Sequence, residues 1–295
     1  MARRDPFLKS LFPSVLFLSG LVFVSAFPAP CAAQESAKVT RADGAVTPLN
    51  VYRPASDETH GCAPLALISP GAGGTENGYS YLAEGLRERG WLAIVIGHKE
   101  SGPGTLLSDV GHSGIHGGLT AMVTDPVLYR DRLMDISATL SWAEKKCKSP
   151  FRALLGHSMG SETVMFEAGA ENKLGVRGQD QFDAYVAIST SGPGSIFPEH
   201  AWNKIRKPVY VLTGTNDKGL EGPWEWRTRP YDDLPAGCKW LGVIDGATHM
   251  NFAGVGFAGK TKKLTIDTVD DFLSGVQSGN CSAPAPEPGM QLKSK

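Results

Sequence analysis

Gly156-His157-Ser158-Met159-Gly160 sets a serine between two glycines in the pattern G-x-S-x-G. A serine alcohol is a weak nucleophile until a base takes its proton and an acid orients that base. Where the pattern joins a strand to a helix, the turn is sharp. It strains the serine backbone, points Oγ outward, and needs glycines where side chains would clash. The apolar run 151–155 before it and the helical spacing of 161–170 after it supply that setting. The partners are expected downstream, acid before histidine. Asp217 closes Thr213-Gly214-Thr215-Asn216-Asp217, just past the strand-like run 208–213, and His249 closes Asp245-Gly246-Ala247-Thr248-His249, just past 239–244. Both fall at the carboxyl ends of expected parallel strands, where open α/β sheets hold their sites. Asp245 and Glu221 are the alternative acids. His98, His112, His116 and His157 are the alternative histidines, with His157 expected to point away from its neighbour Ser158.

Acyl transfer through a tetrahedral intermediate needs two N–H donors aimed at the developing oxyanion. One is expected from Met159, the residue after the nucleophile. The other is expected from the turn Ser69-Pro70-Gly71-Ala72-Gly73-Gly74, with Ala72 the first choice and Gly73 the alternate. Small residues there let the backbone approach a substrate. His98 follows the strand-like run 91–96 and is expected to line one wall of the cleft. Trp224 and Trp226, in the insertion after Asp217, either pack a surface loop or shape an acyl or aromatic pocket. Phe197, Trp202 and Phe252 are possible additions to it.

Two further patterns carry less. The residues from Gly254 to Thr261 match the phosphate-binding pattern G-x4-G-K-[ST]. His249 separates them from their strand, however, and too little chain follows for the rest of a nucleotide-binding sheet. His112 and His116 are four apart, near His98 and Asp109, but glycines 111, 114, 117 and 118 argue against a stable helix to hold a metal. No metal and no cofactor are expected.

The elements that must position these residues alternate. A hairpin is expected over 37–54 around Asp43-Gly44, then Leu65–Ser69 as a buried strand, a helix over 79–89 and a strand over 91–96. Leu133, Ile136, Leu140 and Ala143 follow helical spacing within 126–146. Strands over 182–189, 208–213 and 239–244 and a helix over 265–273 complete the pattern. Strand–helix alternation with short apolar runs implies parallel strands covered on both faces and joined by right-handed crossovers. One α/β domain over 34–278 is expected, followed by a polar tail over 279–295 without fixed shape beyond Cys281.

The chain has 295 residues, 41% hydrophobic and 20% charged, with a net charge of −1. It is long enough to bury a sizeable core and too neutral to suggest a nucleic-acid partner. Arg3, Arg4 and Lys9 precede the apolar run 11–27, and Cys31-Ala32-Ala33 offers small residues for cleavage before Gln34. This reads as a signal peptide over 1–33. The expected product is secreted or periplasmic, has no stable membrane span and is a monomer. Cleavage leaves Cys62, Cys147, Cys238 and Cys281, which allow two disulfides in three pairings.

The segments SPGAGG-x4-YSYLAEGLRERGW, GHKESG, RDRLMDISATL and GHSMG resemble the α/β-hydrolase superfamily. Within it they resemble the bacterial dienelactone-hydrolase-like esterases, which are similar in turn to platelet-activating-factor acetylhydrolases and more distantly to polyester-degrading cutinases. True dienelactone hydrolases carry a cysteine nucleophile where this chain has Ser158, and many relatives read SHG where this chain reads SPG. The resemblance implies a mostly parallel eight-stranded sheet with helices on both faces and a cofactor-free serine hydrolase. Ser158 is then nucleophile, Asp217 acid and His249 base, with Ala72 and Met159 forming the oxyanion hole. The substrate is then a small-molecule or polymeric carboxylic ester. An amide, thioester or polyester substrate for the same machinery is the alternative, as is a binding protein without turnover. In the strand order of this fold the third and fifth strands are neighbours, which favours Cys62–Cys147 and Cys238–Cys281, both at the end away from the chemistry.

Overall fold

The structure, a computed structural model, describes residues 34–55 and 61–295. The expected signal peptide lies outside the described residues. β1 (Gln34–Thr40) and β2 (Val46–Tyr52) form the expected hairpin, turning at Gly44 with φ 87°. β2 pairs antiparallel with β4 (Leu92–Ile96). From β4 the sheet is parallel through β3 (Leu65–Ser69), β5 (Arg152–His157), β6 (Ala184–Ile188), β7 (Val209–Asn216) and β8 (Lys239–Thr248).

The central strands are apolar on both faces because both are covered. Leu65 and Leu67 of β3 face one core layer with Tyr129, Leu133, Ile136 and Leu140 of α3 (Pro126–Lys146). Ala66 and Ile68 face the other, with Leu82 and Leu86 of α1 (Ser80–Glu88) and Phe272 and Leu273 of α7 (Gly259–Ser278). Side chains alternating along a strand produce this two-sided split. β4 and β5 flank β3 on opposite sides, so the strand order reverses at β3 and opens a crevice at the carboxyl ends of β3 and β5.

Three expectations are corrected. The sheet has nine strands, not eight, because residues 279–295 are not a shapeless tail. Met290–Ser294 forms β9, antiparallel to β8, with Met290 buried in the core. Its strand pairing covers the backbone edge that β8 would otherwise leave open. Second, the glycine-rich stretch around His112 is helical. α2 spans Pro103–Val123 and absorbs the glycines through one break at Gly114, φ 72° and ψ 173°. Third, Phe197, Trp202 and Phe252 are fully buried core residues, and none of them joins Trp224 in its cleft over β8 and β9.

The cysteines pair as expected, Cys62 with Cys147 and Cys238 with Cys281, at Cα separations of 5.5 and 5.2 Å. Parallel pairing sets the starts of β3 and β5 side by side, and Cys62 and Cys147 stand just before them.

Candidate active site

Ser158 stands between β5 and α4 (Met159–Glu167) with φ 54° and ψ −128°, a backbone region non-glycine residues seldom occupy. Its N–H donates to the Ile188 carbonyl at 3.0 Å, and its own carbonyl accepts from Ser161 N–H at 2.6 Å. The flanking glycines are required by close approach. A Cβ on Gly156 would run into the Gly160 carbonyl, and one on Gly160 into the Ser69 carbonyl.

Asp217 and His249 come from the ends of β7 and β8. Asp217 Oδ1 accepts from His249 Nδ1 at 2.9 Å, and Oδ2 accepts from Thr213 Oγ1 at 2.9 Å. His249 opens α6 (His249–Phe252), where Thr248 and Asn251 cap each other's backbone N–H and fix the start of the turn. Asp217 is fully buried. Burial pushes its carboxyl up, but the His249 hydrogen bond and the Arg227 charge outweigh it and hold the group at about 2. Of the alternative acids, Asp245 is exposed and Glu221 is engaged by Ser195.

His157 turns away from the serine. Tyr79 Oη accepts from the Gly71 N–H at 3.2 Å and pairs with His157 Nδ1 at 2.7 Å. The His157 ring lies 4.6 Å, centroid to centroid, from that of His249. Burial, with His249 beside it, holds His157 well below its ordinary value, so it packs as a neutral ring.

In the turn after β3, Gly71 N–H is taken by Tyr79, and Gly73 N–H donates to the Ser101 carbonyl at 2.9 Å. That use removes Gly73, the alternate donor, and leaves Ala72 N–H between two engaged neighbours. Met159 is the first residue of α4, so no carbonyl one turn back accepts its N–H. Buried Arg132 of α3 anchors the turn. It donates to the Pro70 carbonyl, to Ser101 Oγ at 2.6 Å and to Thr163 Oγ1 at 3.1 Å.

His98 is not a wall of the cleft. It is 2% exposed, with Nε2 3.0 Å from Ser69 Oγ and Nδ1 2.8 Å from Asp135 Oδ2. Asp135 also accepts from Thr47 and from Arg41. Burial and the charge of Arg132 outweigh Asp135 and lower His98 to about 4. This buried Ser–His–Asp array supports the turn from beneath and is closed to substrate. A lone histidine after a strand carries no local signal that distinguishes lining a cleft from bracing it.

The insertion after Asp217 meets the site through Arg227, which the sequence reading missed. Trp226 wedges its indole against Gly192, Gly219 and Gly222 and donates to the Pro193 carbonyl at 2.8 Å. Trp224 lines a small cleft with Leu241, Val243 and Gln291, over β8 and β9. Arg227, 5% exposed, sets Nε 3.0 Å from Asp217 Oδ1 and Nη2 3.3 Å from His249 Nδ1. Nδ1 cannot both donate to Asp217 and accept from Arg227, and the shorter contact assigns its proton toward the carboxylate.

His112 is exposed and bonds the Ser108 carbonyl of its own helix. No group of three or more metal-ligating side chains occurs among the described residues. The segment from Gly254 runs into α7, with Thr261 buried on its core face. A groove of about 630 Å³ between β1 and α3 is lined by Lys38, Arg130, Leu133, Trp142, Lys145 and Arg177 and holds none of the candidate site residues.

No family model matches the chain, and no curated protein matches it in sequence. Its fold is similar to that of Est1E from Butyrivibrio proteoclasticus (16% identity, TM-score 0.57, covering 82% of this chain and 99% of that one). It is also similar to a cold-adapted esterase from an Arctic intertidal metagenomic library (20%, 0.54, 81% and 94%). A third likeness is to an alpha-beta serine hydrolase homologue from Coxiella burnetii (17%, 0.52, 79% and 96%). At these identities the likeness shows the fold, a mostly parallel α/β-hydrolase sheet with helices on both faces.

Proposed function

We propose that the protein is an exported serine esterase of the dienelactone-hydrolase-like kind that cleaves carboxylic esters through an acyl-enzyme. The observation that carries the reading is the 2.9 Å bond from His249 Nδ1 to the buried Asp217 carboxylate, at the carboxyl ends of β7 and β8 in a parallel sheet whose β5 leads into the strained Ser158. Ser158 Oγ attacks the ester carbonyl carbon as His249 Nε2 takes its proton. The oxyanion is met by Ala72 and Met159 N–H, the alcohol leaves with the proton from His249, and water repeats the sequence on the acyl group. Asp217 holds the imidazole tautomer and balances its charge. Two disulfides suit an oxidising compartment and therefore an exported chain.

The test pairs covalent labelling with turnover. A fluorophosphonate should label Ser158 in the wild type and not in Ser158→Ala. p-Nitrophenyl esters from C2 to C16, with a polyester film beside them, should be cleaved by the wild type before labelling, and neither by the wild type after labelling nor by Ser158→Ala. An unlabelled Ser158 with no cleavage of any ester would leave the binding-protein alternative standing.

A further inference from the structure

Buried arginine beside a catalytic carboxylate is an unusual expenditure of desolvation, and here every guanidinium nitrogen has work. Arg227 Nε donates to the Asp217 carbonyl at 2.9 Å and lies 3.0 Å from Oδ1. Nη1 donates to the Ser189 carbonyl and, at 3.2 Å, to that of Thr190. Nη2 donates to the Lys218 carbonyl at 3.3 Å and faces His249 Nδ1 at 3.3 Å. The fork therefore ties the ends of β6 and β7 to the insertion and meets both members of the acid–base pair.

We propose that Arg227 is a positioning residue for that pair: it clamps Asp217 against His249 and, as a fixed positive charge facing the imidazole, sets how far into acid the site keeps a free base. The inference rests on the reading of Ser158, His249 and Asp217 as a triad. A guanidinium keeps its proton at any working pH. With it in place, the charges of Asp217 and Arg227 offset each other beside the imidazole. Without it, a buried carboxylate alone faces the imidazole and favours the protonated ring, which cannot accept the serine proton. The other groups around the pair do not replace this charge. His157, from β5, is neutral through burial. Tyr79, behind it, is pushed up to about 12 by burial and stays protonated. Glu162, from α4, is raised to about 7 by burial, against its hydrogen bonds from Ser191 and the Arg227 charge. It adds negative charge, if any.

The test is the pH dependence of kcat/KM on a p-nitrophenyl ester for wild type, Arg227→Gln and Arg227→Lys. Arg227→Gln should move the acid limb upward by about one pH unit, with activity partly regained on the alkaline plateau. Arg227→Lys should keep the limb in place while lowering kcat, because it retains the charge and loses the fork. If Arg227→Gln fails to fold with Asp217 left alone, Asp217→Asn is compared with Asp217→Asn/Arg227→Gln, which buries no unpaired charge. The rate of fluorophosphonate labelling is then read against pH, and removing Arg227 should again shift the limb upward by about one unit. An unmoved limb in either comparison, with activity lowered equally at all pH, makes Arg227 a structural strut and overturns the proposal. A wild type that takes no label and cleaves no ester sinks the triad reading itself, and this proposal with it.

Discussion

Ser69 and Gly156 lie opposite each other in the parallel pair of β3 and β5, so one strand register sets the glycine-rich turn after β3 beside the serine turn. Gly160, one helical step on, sits against the Ser69 carbonyl, where a Cβ has no room. Both clashing partners are backbone, so neither can yield by changing rotamer. Gly160→Ala should destabilise the protein by more than about 3 kcal/mol, beyond ordinary overpacking. Urea unfolding measures this, and a variant within about 0.5 kcal/mol of wild type would show that the two turns are not in contact.

Turnover should collapse with the triad. Ser158→Ala and His249→Ala should each lower kcat on a p-nitrophenyl ester by about 10⁴-fold or more. Asp217→Asn should cost less and still be severe, since the imidazole loses its tautomer and countercharge. Steady-state kinetics of the three, with Asp245→Asn as control, decides the acid. A near-normal Asp217→Asn beside an inactive Asp245→Asn would reassign it.

His98 should make stability depend on pH in a definite direction. Its ordinary value is 6.5 and the fold lowers it to about 4, so the unfolded chain binds the proton first. The contribution is full above pH 6.5 and is lost as pH falls toward 4. The 2.5-unit difference corresponds to roughly 3 kcal/mol. Glu162, raised to about 7, runs the other way over part of that window, so the wild-type curve alone is ambiguous. The comparison with His98→Asn isolates the effect: the stability gap measured by denaturant unfolding should narrow by that amount between pH 7 and pH 4. A gap independent of pH would mean that His98 binds its proton equally well in the folded and unfolded chain, and a gap that widens toward pH 4 would mean that the fold favours the charged ring.

The disulfides should support the fold and leave the chemistry alone. They close spans of 85 and 43 residues at the amino ends of the strands, opposite the serine turn. Each should contribute about 2–4 kcal/mol. Mild reduction should lower the melting temperature while room-temperature turnover stays near wild type. Loss of turnover in protein that still melts cooperatively would contradict the separation of the two ends.

What the sequence determined by itself was local or set by strand order. G-x-S-x-G is legible because one tight turn dictates its glycines. Asp217 and His249 are legible because parallel strands deliver their carboxyl ends to one edge. The cysteines alone left three pairings open, and the strand order implied by the resemblance, which the structure shares, selected the two that form. What the tertiary structure decided depended on contacts with no local period. His98 follows a strand as a cleft residue would, and only the packing of Ser69, Asp135 and Arg132 around it turns it into a buried brace. Met290–Ser294 reads as polar tail, because an edge strand exposed on one side lacks the apolar run that marks a central one. Arg227 sits among tryptophans in a loop, and its burial against Asp217 arises from the fold of the insertion over the ends of β6 and β7, which no spacing of residue types announces.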